Sequence, residues 1–309
     1  MVDYVVIGNI IIDDIVLPDG TTRMNTLGGA GTHAVMGLRV WSDRVGFVSA
    51  VGVDFLTDHW AALVASGVDL IGVRREKLPT PRAWQLFEAN GKRTEVFRTN
   101  FDDLLHLEAE PKHFPLAYVG VRGAYILTDR PDTLHSWVSF LRNTGVSLIL
   151  WEPSPYWMNP QQRERFVAFL SEVDIVCPDL EFARCLYAET DAYALIRAML
   201  YDGARLVALR MGKEGSLIAE RGGQIHAIPI WPAKVVDVTG AGNAYCGGLL
   251  VGYAETGDAR TAGLYGAISA SFAVEQFGPI SWRPDLSREA RCRLRALQST
   301  ILSQIKDEN

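Results

Sequence analysis

Between Tyr118 and Arg210, short apolar runs alternate with longer amphipathic stretches, and this rhythm limits the fold more than any other feature. Strands are predicted at Gly123 to Thr128, Val146 to Trp151, Val173 to Cys177 and Leu206 to Arg210. Helices fall between them: Asp132 to Asn143, opened by Pro131, then Gln161 to Ser171, Glu181 to Tyr187 and Ala192 to Tyr201. Strands so uniformly apolar are buried on both faces, as in a parallel sheet covered by helices on each side. The fold class is therefore α/β, a doubly wound, mostly parallel sheet flanked by helices. Ser216 to Ile218 and Gln224 to Ile228, around Arg221-Gly222-Gly223, add an antiparallel hairpin at one edge.

The N-terminal part supplies further strands. Tyr4 to Ile12 is β-branched and almost wholly apolar, so it reads as one strand buried on both faces. It ends in Asp13-Asp14, where open α/β sheets bind ligands. One of the two carboxylates is expected to cap a turn, and Asp13 is the one assigned to a ligand. Ile15 to Leu27 suits a small hairpin. Gly28-Gly29-Ala30-Gly31-Thr32-His33 is a glycine-rich loop entering a helix that ends near Arg39. Its spacing is not that of a dinucleotide fingerprint, which argues against a nicotinamide-dependent dehydrogenase. His33 lies within reach of a ligand, although a packed or solvated histidine is the commoner case.

Val45 to Val51 reads as a strand, Phe55 to Ala65 as a helix and Val68 to Val73 as an extended segment. Ala83 to Phe87 and Thr94 to Arg98 flank Asn90-Gly91, a strong hairpin signal. These strands are expected to pair with the segment after Asp14, giving a small β lid from about 14–27 and 80–100. Residues 1–309 then form a single domain with a lid.

Asp237-Val238-Thr239-Gly240-Ala241-Gly242-Asn243 crowds small residues into a turn before a small-residue helix, Asn243 to about Glu255. Such a turn aims backbone N–H groups at one point and adds the positive end of a helix dipole, which favours phosphate. The plainer reading is that the glycines permit close helix packing. Helices from Ala259 to Gln276 and from Ser287 to Gln304 complete the chain.

Composition narrows the function classes. A hydrophobic fraction of 48% with 21% charged residues describes an ordinary globular protein. A net charge of −6 argues against nucleic acid as a partner. Cys177, Cys185, Cys246 and Cys292 form no CxxC pair, and with no secretory signal the expected location is cytoplasmic. No apolar run is long enough to span a membrane.

The order of these pieces resembles the PfkB/ribokinase family of carbohydrate and nucleoside kinases. The residues that carry the resemblance are the strand ending at Asp13, the Gly28 to Gly31 loop, Gly46 to Asp54, Met211-Gly212-Lys213-Glu214-Gly215, and Asp237 to Gly248. The resemblance implies a ribokinase-like fold and ATP-dependent phosphoryl transfer, with Mg2+, to a hydroxyl of a sugar or nucleoside-like small molecule. By position, Asp13, Gly28, Gly29 and His33 would bind substrate. Gly240, Ala241 and Gly242 would form an anion hole, and Met211, Gly212 and Gly215 would lie near the nucleotide. Asp237 and Thr239 match positions that surround a monovalent cation in some relatives, and a homodimer through the lid is left open.

Two catalytic positions depart from the family pattern. Asn243 stands where the family's aspartate takes the acceptor's proton, and a carboxamide cannot take it. General-base catalysis is worth about 10²–10⁴-fold, although some relatives replace that aspartate and remain kinases. The family's Asn-x-x-Glu element aligns with Asp179-Leu180-Glu181-Phe182, leaving Asp179 and Glu181 either to hold magnesium or only to cap a helix. Trp151-Glu152-Pro153 replaces a common Asp-Pro-Asn. These features are similar to an atypical branch that includes the yeast protein known for maintaining the killer virus. Two readings follow: a kinase with an unusual centre, or a catalytically impaired pseudokinase that binds nucleotide or sugar in a regulatory role. Trp84, Trp151 and Trp157 either line the pocket or pack in the core.

Overall fold

The structure is a computed structural model that describes residues 1–90, 93–128, 130–154 and 157–307. The chain begins with β1 (Tyr4–Ile7), β2 (Ile11–Val16), β3 (Thr22–Gly28), α1 (Ala30–Arg39), β4 (Val45–Gly52), α2 (Thr57–Ala65) and β5 (Asp69–Glu76). β6 (Arg82–Phe87), β7 (Arg93–Phe97) and α3 (Phe101–Leu107) follow. The alternating region comprises β8 (Gly123–Ile126), α4 (Pro131–Asn143), β9 (Leu148–Trp151), α5 (Arg163–Leu170), β10 (Ile175–Val176), α6 (Leu180–Tyr187), α7 (Ala192–Tyr201) and β11 (Leu206–Arg210). β12 (Ser216–Glu220), β13 (His226–Ile228), α8 (Ala241–Thr256), α9 (Ala259–Ala273) and α10 (Leu286–Asp307) end it.

Nine strands form the main sheet in the order β13-β12-β11-β10-β9-β8-β1-β4-β5. It is parallel except for the hairpin arm β12–β13. The period of two along each strand divides the apolar residues between two cores. Tyr4, Val6, Leu206 and Ala208 face the core built with α1, α8 and α9. Val5, Ile7, Val207 and Leu209 face the core built with α4 to α7. Trp151 and Trp157 belong to this second core, ring to ring at 5.4 Å, and neither lines the cleft described below. The close packing of α8 on α1 follows from a glycine on each: a Cβ on Gly247 of α8 would lie 2.5 Å from Ala34 O, and one on Gly37 of α1 would lie 2.4 Å from Ala244 O. The packing reading of those small residues is thus correct for the body of the helix.

The sequence reading of Tyr4 to Ile12 as one strand is corrected. The run breaks at Gly8 to Ile10, where α1 begins so close that a Cβ on Gly8 would lie 2.9 Å from Gly31 Cα. Beyond the break, β2 leaves the main sheet and joins a four-stranded sheet in the order β3-β2-β6-β7. Asp13 and Asp14 therefore sit inside a strand of the small sheet, beside a register shift between Asp13 and Ile15, and not at a main-sheet strand end. α3 was not foreseen; Asn100 caps it by accepting from Asp103 N at 2.9 Å. The turn residue Gly91 lies outside the described residues. Among the described residues, no helix is long and apolar enough to cross a membrane.

Candidate active site

The N-terminus of α8 organises the site. Gly240 precedes the helix with φ 73°, a conformation that favours glycine. A Cβ there would meet the His33 ring at 2.0 Å, so that ring lies directly against the turn. The Ala241 N–H closes onto Val238 O at 3.2 Å. The amides of Gly242 and Asn243, in the first helical turn, point along the axis toward any anion placed there. Ala241 is accordingly a spent donor in the predicted trio.

On one side of this turn stand the residues of β2, β3 and α1. Asp13 is buried, with Oδ2 where a Gly28 side chain would otherwise be, 1.9 Å from its ideal Cβ. The Gln85 amide donates to Asp13 Oδ1 at 3.1 Å. Burial outweighs that bond and the Gly29 backbone, pushing the Asp13 carboxyl up to about 7. Asp14 is instead satisfied: it accepts from Asn25 N at 2.8 Å and pairs with Arg98 at 2.5 Å. His33 is buried with both ring nitrogens unpartnered among the described residues, and burial lowers it to about 4, so it is neutral. The Arg93 charge, from β7, acts on Asp13, His33 and Asp237 alike, which marks a cationic residue the sequence reading did not single out.

On the other side lies a cleft of about 360 Å³. Ile228, Trp231, Val235 and Val274 give it apolar walls, and Asp179, Arg210, Gly212 and Gly242 also line it. Gly215 also lines it, with φ 83° and no room for a Cβ beside Ile228 O at 2.2 Å. Met211 departs from expectation: it packs against the second core, and its N–H closes a turn onto Gly215 O at 2.8 Å. Asp179 caps α6 by accepting from Phe182 N at 2.8 Å. Glu181 is exposed on the first turn of α6. Asp237 Oδ1 accepts from the N–H and hydroxyl of Thr239 at 2.9 and 2.8 Å, while Oδ2 is buried without a partner among the described residues. Burial raises the Asp237 carboxyl. No cluster of three metal-ligating side chains occurs among the described residues.

Beneath the turn is a constellation that sequence reasoning missed. Asn243 Nδ2 donates to Glu152 Oε2 at 2.9 Å, and Arg210 Nη1 meets Glu152 Oε1 at 2.6 Å. The Tyr125 hydroxyl also donates to Glu152 Oε2. Arg210 Nη1 lies 2.1 Å from the ideal Cβ of Gly242, so this ion pair supports the turn directly. The neighbouring Glu152 carboxylate holds the Arg210 guanidinium well above its ordinary range despite burial. Glu152 and Arg210 each end an apolar strand run, Leu-Ile-Leu-Trp-Glu and Leu-Val-Ala-Leu-Arg. That is the same signal that drew attention to Asp13.

The family model for PfkB carbohydrate kinases matches residues 1–286. The cytidine kinase of Thermococcus kodakarensis is 26% identical over 265 residues, covering 82% of this chain and 89% of that protein. A nucleoside kinase of Methanothermobacter thermautotrophicus is 28% identical over 292 residues, covering 89% and 88%. Among solved structures, adenosine kinase from Sinorhizobium meliloti superposes with a TM-score of 0.78 at 20% identity, covering 94% of this chain and 99% of that one. An Escherichia coli protein in complex with ATP and Mg2+ gives 0.77 at 20% identity, covering 96% and 100%. These neighbours share its ribokinase-like fold, and the extent of the family match makes the chain a member of the PfkB family of carbohydrate kinases.

Proposed function

We propose that this protein transfers the γ-phosphoryl group of ATP to a hydroxyl of a nucleoside or sugar-like molecule. One observation carries the reading: the N-terminus of α8 separates an apolar cleft of nucleotide size from a buried carboxylate with unmet demand for donors. The cleft takes the adenine base against Trp231 and Val274, bringing the phosphates to Arg210 and the Gly242 and Asn243 amides. Arg210 Nε has no partner among the described residues and supplies a further donor. On the other side, Asp13 and His33 hold acceptor hydroxyls, and the four-stranded sheet acts as a lid that excludes water. The relatives named as cytidine and nucleoside kinases favour a nucleoside acceptor.

In this reading the acceptor oxygen bonds to the γ-phosphorus as the bridging P–O bond breaks, and ADP leaves with the electron pair. The anion hole and Arg210 stabilise the charge on the moving group, and Asn243 orients the hydroxyl, whose proton moves to an oxygen of the transferred phosphoryl group and leaves with the product. Asp179, which lines the cleft, is the residue that would hold magnesium, which when bound with ATP would neutralise phosphate charge. Asp237 Oδ2, buried without a partner, suits a monovalent cation. The exposed Leu86, Val96 and Phe97 of the small sheet suit a homodimer contact.

A second reading, binding without turnover, is favoured by the carboxamide at Asn243. ADP release from Mg-ATP across a nucleoside and sugar panel separates the two. Release with at least one acceptor is expected. No release, together with no calorimetric binding of Mg-ATP, overturns the kinase reading; binding alone selects the second.

A further inference from the structure

We propose that Glu152 is a positioning residue that fixes which way the Asn243 amide faces, so that positions 152 and 243 form a matched pair with room for one carboxylate. The inference rests on the phosphotransfer reading for its catalytic meaning. Its geometric basis stands apart from that reading. A carboxylate only accepts hydrogen bonds. Glu152 Oε2 therefore demands a donor from Asn243, and the amide nitrogen supplies it at 2.9 Å. Turning the amide over would set oxygen against oxygen. Because the amide is planar, Oδ1 is held on the side away from Glu152, as a fixed acceptor one residue from Gly242.

The site therefore presents an oriented acceptor to the substrate hydroxyl where a base would otherwise stand. Glu152 does not take over as that base, since its two oxygens already serve Arg210, Tyr125 and Asn243. A carboxylate placed at position 243 would put an oxygen near 2.9 Å from Oε2. Two carboxylates that close cannot both ionise at neutral pH, and they titrate as a unit sharing a proton. Restoring the family's aspartate alone is then a loss and not a repair.

The charged and titratable groups around Glu152 are Arg210 from β11, Tyr125 from β8 and Cys246 from α8, with Cys177 and Asp179 acting on Arg210. Burial pushes the Tyr125 hydroxyl and the Cys246 thiol up, so both stay neutral. Arg210 stays charged. Among these groups only the pair of carboxylates would exchange a proton near neutral pH, and Asp13, present in all four proteins, contributes alike to each.

Four proteins test the pair: the unmodified chain, Asn243→Asp, Glu152→Gln and the double variant. Thermal unfolding is measured without nucleotide at pH 6 and pH 8, and ADP release with the best acceptor of the panel. Asn243→Asp should lower the midpoint, more at pH 8 than at pH 6, and cut ADP release at least tenfold. The double variant again has one carboxylate and one amide but lacks the charge that Arg210 pairs with; it should lose less than the sum of the single variants, and its midpoint should no longer depend on pH in this way. Equal or faster release by Asn243→Asp, with melting that depends on pH no more than that of the unmodified chain, overturns the pairing. So does a double variant whose losses are the sum of the single ones. Should Glu152→Gln alone not fold, the pH dependence of Asn243→Asp melting decides. If no protein releases ADP, the phosphotransfer reading falls while the melting cycle still reads the pair.

Discussion

Asp13 and Glu152 are both buried carboxylates near the N-terminus of α8, and their surroundings differ in kind. Glu152 has a cation and two neutral donors, all from the protein. Among the described residues Asp13 has one side-chain donor, the Gln85 amide, which is itself shared with Glu95 Oε1 at 2.7 Å. Glu152 is thus part of the scaffold, its charge compensated at home. Asp13 is left with capacity for a ligand, at the expense of stability. The contrast separates a supporting carboxylate from a receiving one without reference to any bound molecule.

The largest effect should come from removing the compensation. Arg210→Met leaves Glu152 charged and buried without its cation, and breaking a buried pair in this way costs about 3–5 kcal/mol. Urea unfolding should show that loss, with much of it regained in the Arg210→Met, Glu152→Met double variant. A loss below about 1 kcal/mol would erase the distinction between the two carboxylates. Next is Asp13→Asn, which keeps the shape and the Gln85 contact but removes the charge. Hydrogen bonds to charged groups are worth about 1.5–3 kcal/mol, so kcat/KM for the acceptor should fall by roughly 100-fold. Calorimetric affinity for Mg-ATP should not change, and an equal loss there would place Asp13 in the nucleotide half.

How much of this was legible in the sequence differs between the same two regions. β8 to β11 and their helices followed from apolar period and length, because each strand's environment repeats along the sheet. The break at Gly8 to Ile10 was hidden, because Ile10, Ile11 and Ile12 are as apolar as β1. Periodicity reports burial and is silent on which sheet provides it. Gly240 and Gly242 were legible because one turn holds them together. Tyr125 and Arg210 lie on β8 and β11, Glu152 just after β9 and Asn243 on α8, and only folding shows that they meet. The charged ends of β9 and β11 were visible as charges; their mutual compensation was not.

A smaller effect divides the glycines. Gly242→Ala would drive a Cβ into Arg210 Nη1 and so disturb the Glu152 pair, with ADP release expected to fall about 30-fold, near 2 kcal/mol. Gly212, with φ 59° and nothing within 4 Å of its ideal Cβ, faces only the backbone cost of a positive φ. That cost is about 1 kcal/mol, so Gly212→Ala should retain most turnover. Comparable losses at both positions would show that Arg210 has freedom to move, and that the scaffold under the turn is less fixed than its contacts indicate.

The smallest effect is the pH dependence of the receiving carboxylate, and its sign is determined by burial. The Asp13 carboxyl sits at about 7 in the fold against an ordinary 3.8. The folded state therefore holds the proton more tightly, so stability declines as pH rises from about 4 to about 7 and stays lower above that. Binding runs the other way, because only the ionised carboxylate accepts two ligand hydroxyls. Its ionised fraction rises from about a tenth at pH 6 to about nine-tenths at pH 8, so acceptor affinity should increase roughly tenfold over that interval. His33, lowered to about 4, stays neutral and adds no inflection. Asp13→Asn should flatten the affinity profile and also raise the melting midpoint at pH 8 relative to pH 4. If the tenfold rise persists in Asp13→Asn, another group receives the acceptor, and the unmet carboxylate is not the feature that distinguishes the two sides of α8.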